Sequence, residues 1–291
     1  MRKQRNPLLP AKRKGKKMNI TNRWRKKLLS KASLRAAISI VVFLVLWELG
    51  SRSKQWLGVS LPWVGQVPAP TAVLNVWEGL LGNIGYWQSW VFSLGRVVGG
   101  FLAAMAVGIP LGLLMAVNKR FHDIVFPSFE VLRPIPPLAW VPASIIFWPT
   151  TELSIAFVIF LGAFFTIVIN VVNGARSIDV RYFQSAQSMG SSQWDIFRRI
   201  VLPATMPSIV VGSAVGMGIT WEVVVAAEMI SGGGAAGSEG GGLGFFIWNS
   251  YIGGAYEQIV VGMISIGIAG YACSTAIRSL GGFFTPWLKK R

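Results

Sequence analysis

The sequence predicts an all-α membrane protein with about six transmembrane helices. Three observations carry that prediction. Charge is scarce: 13% of the 291 residues are charged and 53% are hydrophobic, with mean hydropathy +0.53. Soluble domains carry about 25% charged residues. Long apolar stretches recur, each near the ~20 residues that a spanning helix needs. The positive charge is also clustered, which a bilayer explains better than a nucleic-acid partner does.

The elements follow in order. Residues 1–35 hold fourteen of the 28 Lys and Arg and no acid. This basic tail is expected to be disordered or to lie on anionic lipid. It is too long and too basic for a usual signal peptide, and Met18 is an alternative start. The first span is about 36–53. Residues 54–88 read as an outer segment, interfacial at first, with a short helix near 70–82. The second span is about 89–117. The third, about 122–149, is broken by the Pro-Ile-Pro-Pro run at 134–137. The fourth is about 153–175, the fifth about 207–230 and the sixth about 257–280. A glycine-rich outer segment, 231–256, carries Phe-Phe-Ile-Trp as an apolar anchor. The last residues, 286–291, form a basic end.

Threading six spans from a cytoplasmic N-terminus places Lys119, Arg120, Arg176, Arg181, Arg198, Arg199, Arg278, Lys289, Lys290 and Arg291 on the inner side. Only Arg52 and Lys54 fall outside, so both termini are expected to be cytoplasmic. Gly108 with Gly112, and Gly212 with Gly216, sit four apart, a spacing that lets helices approach closely in lipid.

Residues 177–203 form the one patterned inner loop. Asp179 is placed to cap a helix over 180–189, with Val180, Phe183, Ala186 and Met189 on one stripe. Gly190 is placed to end it in the left-handed conformation. Ser192 and Asp195 match a capping box for a second helix, whose apolar side is Trp194, Phe197, Ile200 and Val201. Pro203 is expected to stop that helix and Pro207 to open the next span.

Gly190, nine residues, then Ile200-x-Leu202-Pro203 resembles the cytoplasmic signature of ABC importer permease subunits. That signature starts with Glu-Ala-Ala, where this chain has Gln184-Ser185-Ala186. The segments SLGRVVGGF, VLRPIPPLAWVP, AAEMI and GLGFFIW resemble the nitrate, sulfonate and bicarbonate branch. The resemblance extends over roughly 36–285, which is then the permease domain with a coupling hairpin at 177–203. It implies a type I importer fold and a second permease copy in a homodimer. It also implies two ATPase subunits that bind ATP and magnesium, and a periplasmic or lipid-anchored substrate-binding protein. Gln184, Ser185, Ala186, Gly190, Ile200, Leu202 and Pro203 would meet the ATPase. The 232–242 glycine run is longer than that branch leads one to expect.

Charges inside the membrane are costly and face the bundle interior. Arg96 and Glu222 both fall in the outer half and are expected to be neighbours, first of all as a structural ion pair. Arg133 precedes the proline break, where a broken helix exposes amides to an anion. Glu228 is expected near the outer mouth. Trp140, Trp221, Phe245 and Phe246 are candidates to line or plug a pathway, with core or lipid packing the simpler role for each.

The chain has no phosphate-binding loop ending in Lys-Ser or Lys-Thr, so ATP is expected only in partner subunits. It has no metal-ligand cluster and no catalytic constellation. His122 reads as a surface or interfacial residue, and the lone Cys273 as a small buried one. No enzyme, no cofactor in this chain and no nucleic-acid partner are therefore expected. The reading is an ATP-driven importer permease of the bacterial inner membrane. Its substrate is a small anion, nitrate or nitrite first, then bicarbonate or cyanate. A taurine or alkanesulfonate permease is the alternative. An ATP-independent carrier or channel would explain the spans but not the hairpin.

Overall fold

The computed structural model describes residues 31–53, 58, 64–230 and 241–287. The expectations for residues 1–30 of the basic tail, most of the glycine-rich insertion and most of the basic end fall outside the described residues, while residues 31–35, expected in the tail, already belong to the first helix. Among the described residues every regular element is helical.

The chain divides into two units, Met1–Pro70 and Thr71–Arg291. The first holds α1, Lys31–Ser51, the first expected span. Its apolar side chains from Ile38 to Leu46 are exposed, and Phe43 leans on Trp47 with ring centroids 6.1 Å apart. A helix that is apolar all round suits lipid.

Helix α2, Pro70–Leu81, stands where the short outer helix was expected, and from Thr71 on it belongs to the second unit. Then come α3, Ile84–Val117, and α4, Lys119–Leu132. Asn83 and Asn118 cap them, their side chains accepting from the amides of Gly85 and Phe121. The chain then breaks at the prolines, as expected. A 3-10 turn, Pro137–Trp140, and a short α5, Val141–Phe147, follow. Next are α6, Thr151–Arg176, and α7, Val180–Ser188. The chain continues with α8, Gln193–Ile230, then α9, Leu243–Ile252, and α10, Tyr256–Phe284. Helices α3, α6, α8 and α10 are long and apolar enough to cross a membrane.

The middle of the unit is α6, buried on most of its surface. Helices α3 and α8 reach it through the expected glycines. A Cβ on Gly112 would come within 2.8 Å of Val171, and one on Gly212 within 2.6 Å of Asn170. Gly108 and Gly216 meet α6 at ordinary contact distance, and Gly100 adds a third close approach, at Ile159. Backbone-to-side-chain contact replaces the hydrophobic drive that lipid does not supply.

One expectation fails. Pro203 does not stop the second hairpin helix, which runs on unbroken into the fifth span as α8. The reason is a π turn over Phe197–Val201, in which the Leu202 amide donates to the Phe197 carbonyl. The wider turn resets the hydrogen-bond ladder just before two residues that lack donors, Pro203 and later Pro207. That offsets the break a proline makes inside a regular helix.

Candidate functional site

The hairpin is built as its residues dictate. The Asp179 carboxylate accepts from the Arg181 amide at 2.9 Å and starts α7. Gly190 sits at φ +78°. The Ser191 amide reaches back to the Ala186 carbonyl at 3.0 Å, closing the helix end with the six-to-one bond that a left-handed glycine allows. Ser192 Oγ then accepts from the Asp195 amide at 3.1 Å and donates to the Asp195 carboxylate at 2.6 Å. A hydrogen bond from Arg181 holds the Asp179 carboxyl below the ordinary carboxylate range, and one from Ser192 does the same for Asp195.

The expected apolar stripe divides between two faces. Phe183, Ala186, Phe197, Ile200 and Val201 pack on the bundle. Val180, Tyr182, Met189 and Trp194 are more than half exposed, Met189 at 78%. Gln184, Ser185 and Gly190 are exposed, Ala186 is buried, and Ile200, Leu202 and Pro203 are half-buried. The corner therefore presents apolar and neutral polar groups outward while its roots are held in the core. Between it and the α3–α4 turn lies a cavity of about 900 Å³ that includes Lys119, Arg120, Phe183 and Trp194.

A second polar cluster lies at the opposite end of the spans, where α6 begins and α8 ends. Arg96 does not pair with Glu222. Its guanidinium grips Glu152 with Nε and Nη2, at 2.9 and 2.5 Å, and donates from Nη1 to Glu228 at 2.9 Å. Glu228 is fully buried and accepts further from Ser93 Oγ and the Gly244 amide, each at 2.9 Å. Ser93 in turn accepts from the Leu243 amide at 2.8 Å. The network ties α3, α6 and α8 together and caps the start of α9 with a carboxylate, where amides and helix dipole favour negative charge.

The correction has a physical cause. The expected partners were matched by membrane depth, but rotation about the helix axis decides contact. Glu228 turns inward on α8, whereas Glu222 is exposed. Sequence reasoning missed Glu152 and Ser93. Ser93 was detectable as the residue one turn before Arg96 on the same face.

The remaining candidates scatter. Arg133 is half exposed, donates to Glu130 at 3.2 Å, and lines a cavity of about 290 Å³ with Pro137, Gly162, Thr166 and Ile219. Trp140 is half-buried, edge-on to Phe157. Trp221 is 2% exposed inside the core, so it lines no surface of this chain. Phe245 and Phe246 border a cavity of about 660 Å³ at the far end with Asn83, Gln88, Asn249 and Gln258. His122 stacks on Phe126 with ring centroids 4.4 Å apart. Among the described residues no group of three His, Cys, Asp or Glu comes together as a metal site.

Comparison with known proteins bears on this arrangement. The family model for binding-protein-dependent transport system inner membrane components matches residues 108–290. A putative ABC transporter permease of Methanocaldococcus jannaschii is 36% identical over 91% of this chain and 94% of its own length. The nitrate import permease of Synechocystis sp. is 36% identical, covering 87% of this chain and 90% of its own. The bicarbonate transport system permease of Synechococcus elongatus is 30% identical over 96% of each. Among solved structures, a chain of a bacterial alginate ABC transporter aligns with TM-score 0.57 at 16% identity, covering 93% of this chain and 98% of that one. The last likeness shows the type I importer permease fold.

Proposed function

The chain belongs to the binding-protein-dependent transport system inner membrane components, and from that premise we propose that it is the permease subunit of an ATP-driven anion importer. It is a multi-pass membrane protein, and its proposed place is the bacterial inner membrane. It works as one of two identical copies with two separate ATPase subunits, which carry the ATP and magnesium. A periplasmic or lipid-anchored binding protein delivers the substrate. The hairpin corner at Gly190 is the observation that carries this reading. Its caps fix it rigidly, its roots lie in the core, and Met189 and Trp194 are left exposed beside it. Such a corner suits a cleft on a partner.

The mechanism is alternating access. ATP closes the ATPase pair, the hairpins move with it, and α8 transmits that motion because the π turn keeps hairpin and span one helix. The two permease copies rock outward, take up the anion and return on hydrolysis. Anion entry into an inside-negative cell is opposed by ~2.3 kcal/mol per 100 mV per charge, so energy coupling is needed. By similarity alone nitrate or nitrite stands first, since the nitrate relative is 36% identical and the bicarbonate relative 30%, and bicarbonate or cyanate comes next. Taurine or an alkanesulfonate is the second reading. The exposed Glu222, which repels a bare anion, favours it.

The test is substitution at the corner. Gly190→Val places a β-branched residue at φ +78° and is expected to leave ATP hydrolysis running while uptake fails. Gly190→Asn, whose side chain tolerates that conformation, keeps uptake. Normal ATP-dependent uptake with Gly190→Val overturns the assignment.

A further inference from the structure

The middle of the spans carries charge on an open face. Arg133 sits on the wall of the 290 Å³ cavity, which lies half way along α6, beside Gly162 and Thr166. Its guanidinium gives one hydrogen to Glu130. No other hydrogen bond of that guanidinium is found among the described residues, so N–H groups remain for a ligand. Across the cavity stands Ile219 of α8.

Beside Ile219 on α8, an exposed stripe runs through Val211, Val215, Gly218 and Glu222 at helical spacing. Nothing lies within 4 Å of a Cβ built on Gly218. Glu222 is not itself on the cavity wall, but it sits one helical turn beyond Ile219, which is, and helix side chains lean toward the N-terminus, so its carboxylate is directed back along α8 past Gly218. Glu222 makes no hydrogen bond or ion pair among the described residues, because Arg96 is taken by Glu152 and Glu228. An exposed carboxylate at this depth has no place against lipid and belongs to water or a ligand.

We propose that Arg133 and Glu222 are the two poles of one substrate site. The site takes an anion that carries its own hydrogen-bond donor, such as the hydroxyl of hydrogencarbonate or the ammonium of an aminosulfonate. Nitrate offers acceptors only. It satisfies Arg133 but meets Glu222 as like charge with nothing to donate. A donor-bearing anion satisfies both poles, and the Thr166 hydroxyl adds a third group on the same wall. The inference rests on the importer reading and amends its order of anions.

Two measurements test it. The first needs no transport. In a Cys273→Ser background, which removes the chain's one cysteine, Gly218→Cys and Glu222→Cys are treated in native membranes with a small, charged, water-soluble methanethiosulfonate. Both are expected to react, while Leu102→Cys, on an exposed apolar face of α3, stays unlabelled. No reaction at 218 and 222 overturns the proposal, since the stripe is then covered by lipid or by a second copy.

The second is uptake of bicarbonate, taurine and nitrate by host cells. Wild type is expected to import a donor-bearing anion, and Glu222→Gln to lower its maximal rate about tenfold or more. Half-saturation, set by the binding protein, stays unchanged. Wild-type preference for nitrate, or a Glu222→Gln rate within about twofold of wild type, overturns the proposal. Unchanged uptake of all three anions after deletion of the chain defeats the importer reading instead. The labelling result then decides alone whether Glu222 faces water.

Discussion

Arg96 stands between two carboxylates that differ sharply in setting. Glu228 is buried at 0% side-chain exposure, whereas Glu152 is 55% exposed. Breaking a buried pair strands a charge and costs about 3–5 kcal/mol. An exposed pair contributes about 0–1 kcal/mol. Glu228→Ala also frees Ser93 and the Gly244 amide, so it is expected to lower the unfolding midpoint of the detergent-solubilised protein by several degrees. Glu152→Gln is expected to move it little. Thermal unfolding followed by fluorescence checks both, and equal effects would contradict the network described. At this scale the sequence revealed which residues are special but not who meets whom. Arg96 and Glu228 stood out because charge in an apolar run is rare. Their pairing depends on helix rotation and on Ser93 and Gly244, whose types signal nothing alone.

At the scale of elements the hairpin was the most legible part, because its structure is local. Asp179, Gly190, Ser192 and Asp195 each act on backbone groups within a few residues. The continuity of α8 through Pro203 was not legible, since a π turn has no composition of its own. The caps also set a pH dependence. Asp179 and Asp195 titrate below the ordinary carboxylate range in the folded hairpin. Their contribution is therefore complete above the unfolded value near 4 and is lost as pH falls through the lower folded values. Amide protection in the hairpin, measured against the intrinsic exchange rate at each pH, is expected to be equal at pH 7 and pH 5 and to fall only below about pH 4. Ser192→Ala removes one cap, worth about 1 kcal/mol, and is expected to raise exchange at the start of α8 at every pH. Loss of protection between pH 7 and pH 5 would contradict the capping account.

The second unit, Thr71–Arg291, is a bundle whose two ends do different work. One end is locked by Arg96, Glu152 and Glu228, and the other presents an elbow whose outer face is exposed. Fold class and spans could be read from hydropathy and glycine spacing alone. The substrate could not, because a cavity wall assembles from α6, α8 and the proline break, distant in sequence. The central claim is that a separate ATPase drives this chain through the 177–203 elbow. The most direct measurement is photo-crosslinking in native membranes from a benzoylphenylalanine placed at Met189, which is 78% exposed. The account predicts one main protein adduct, a nucleotide-binding subunit, whose yield changes when ATP is added. Adducts with lipid alone, or none, would contradict it.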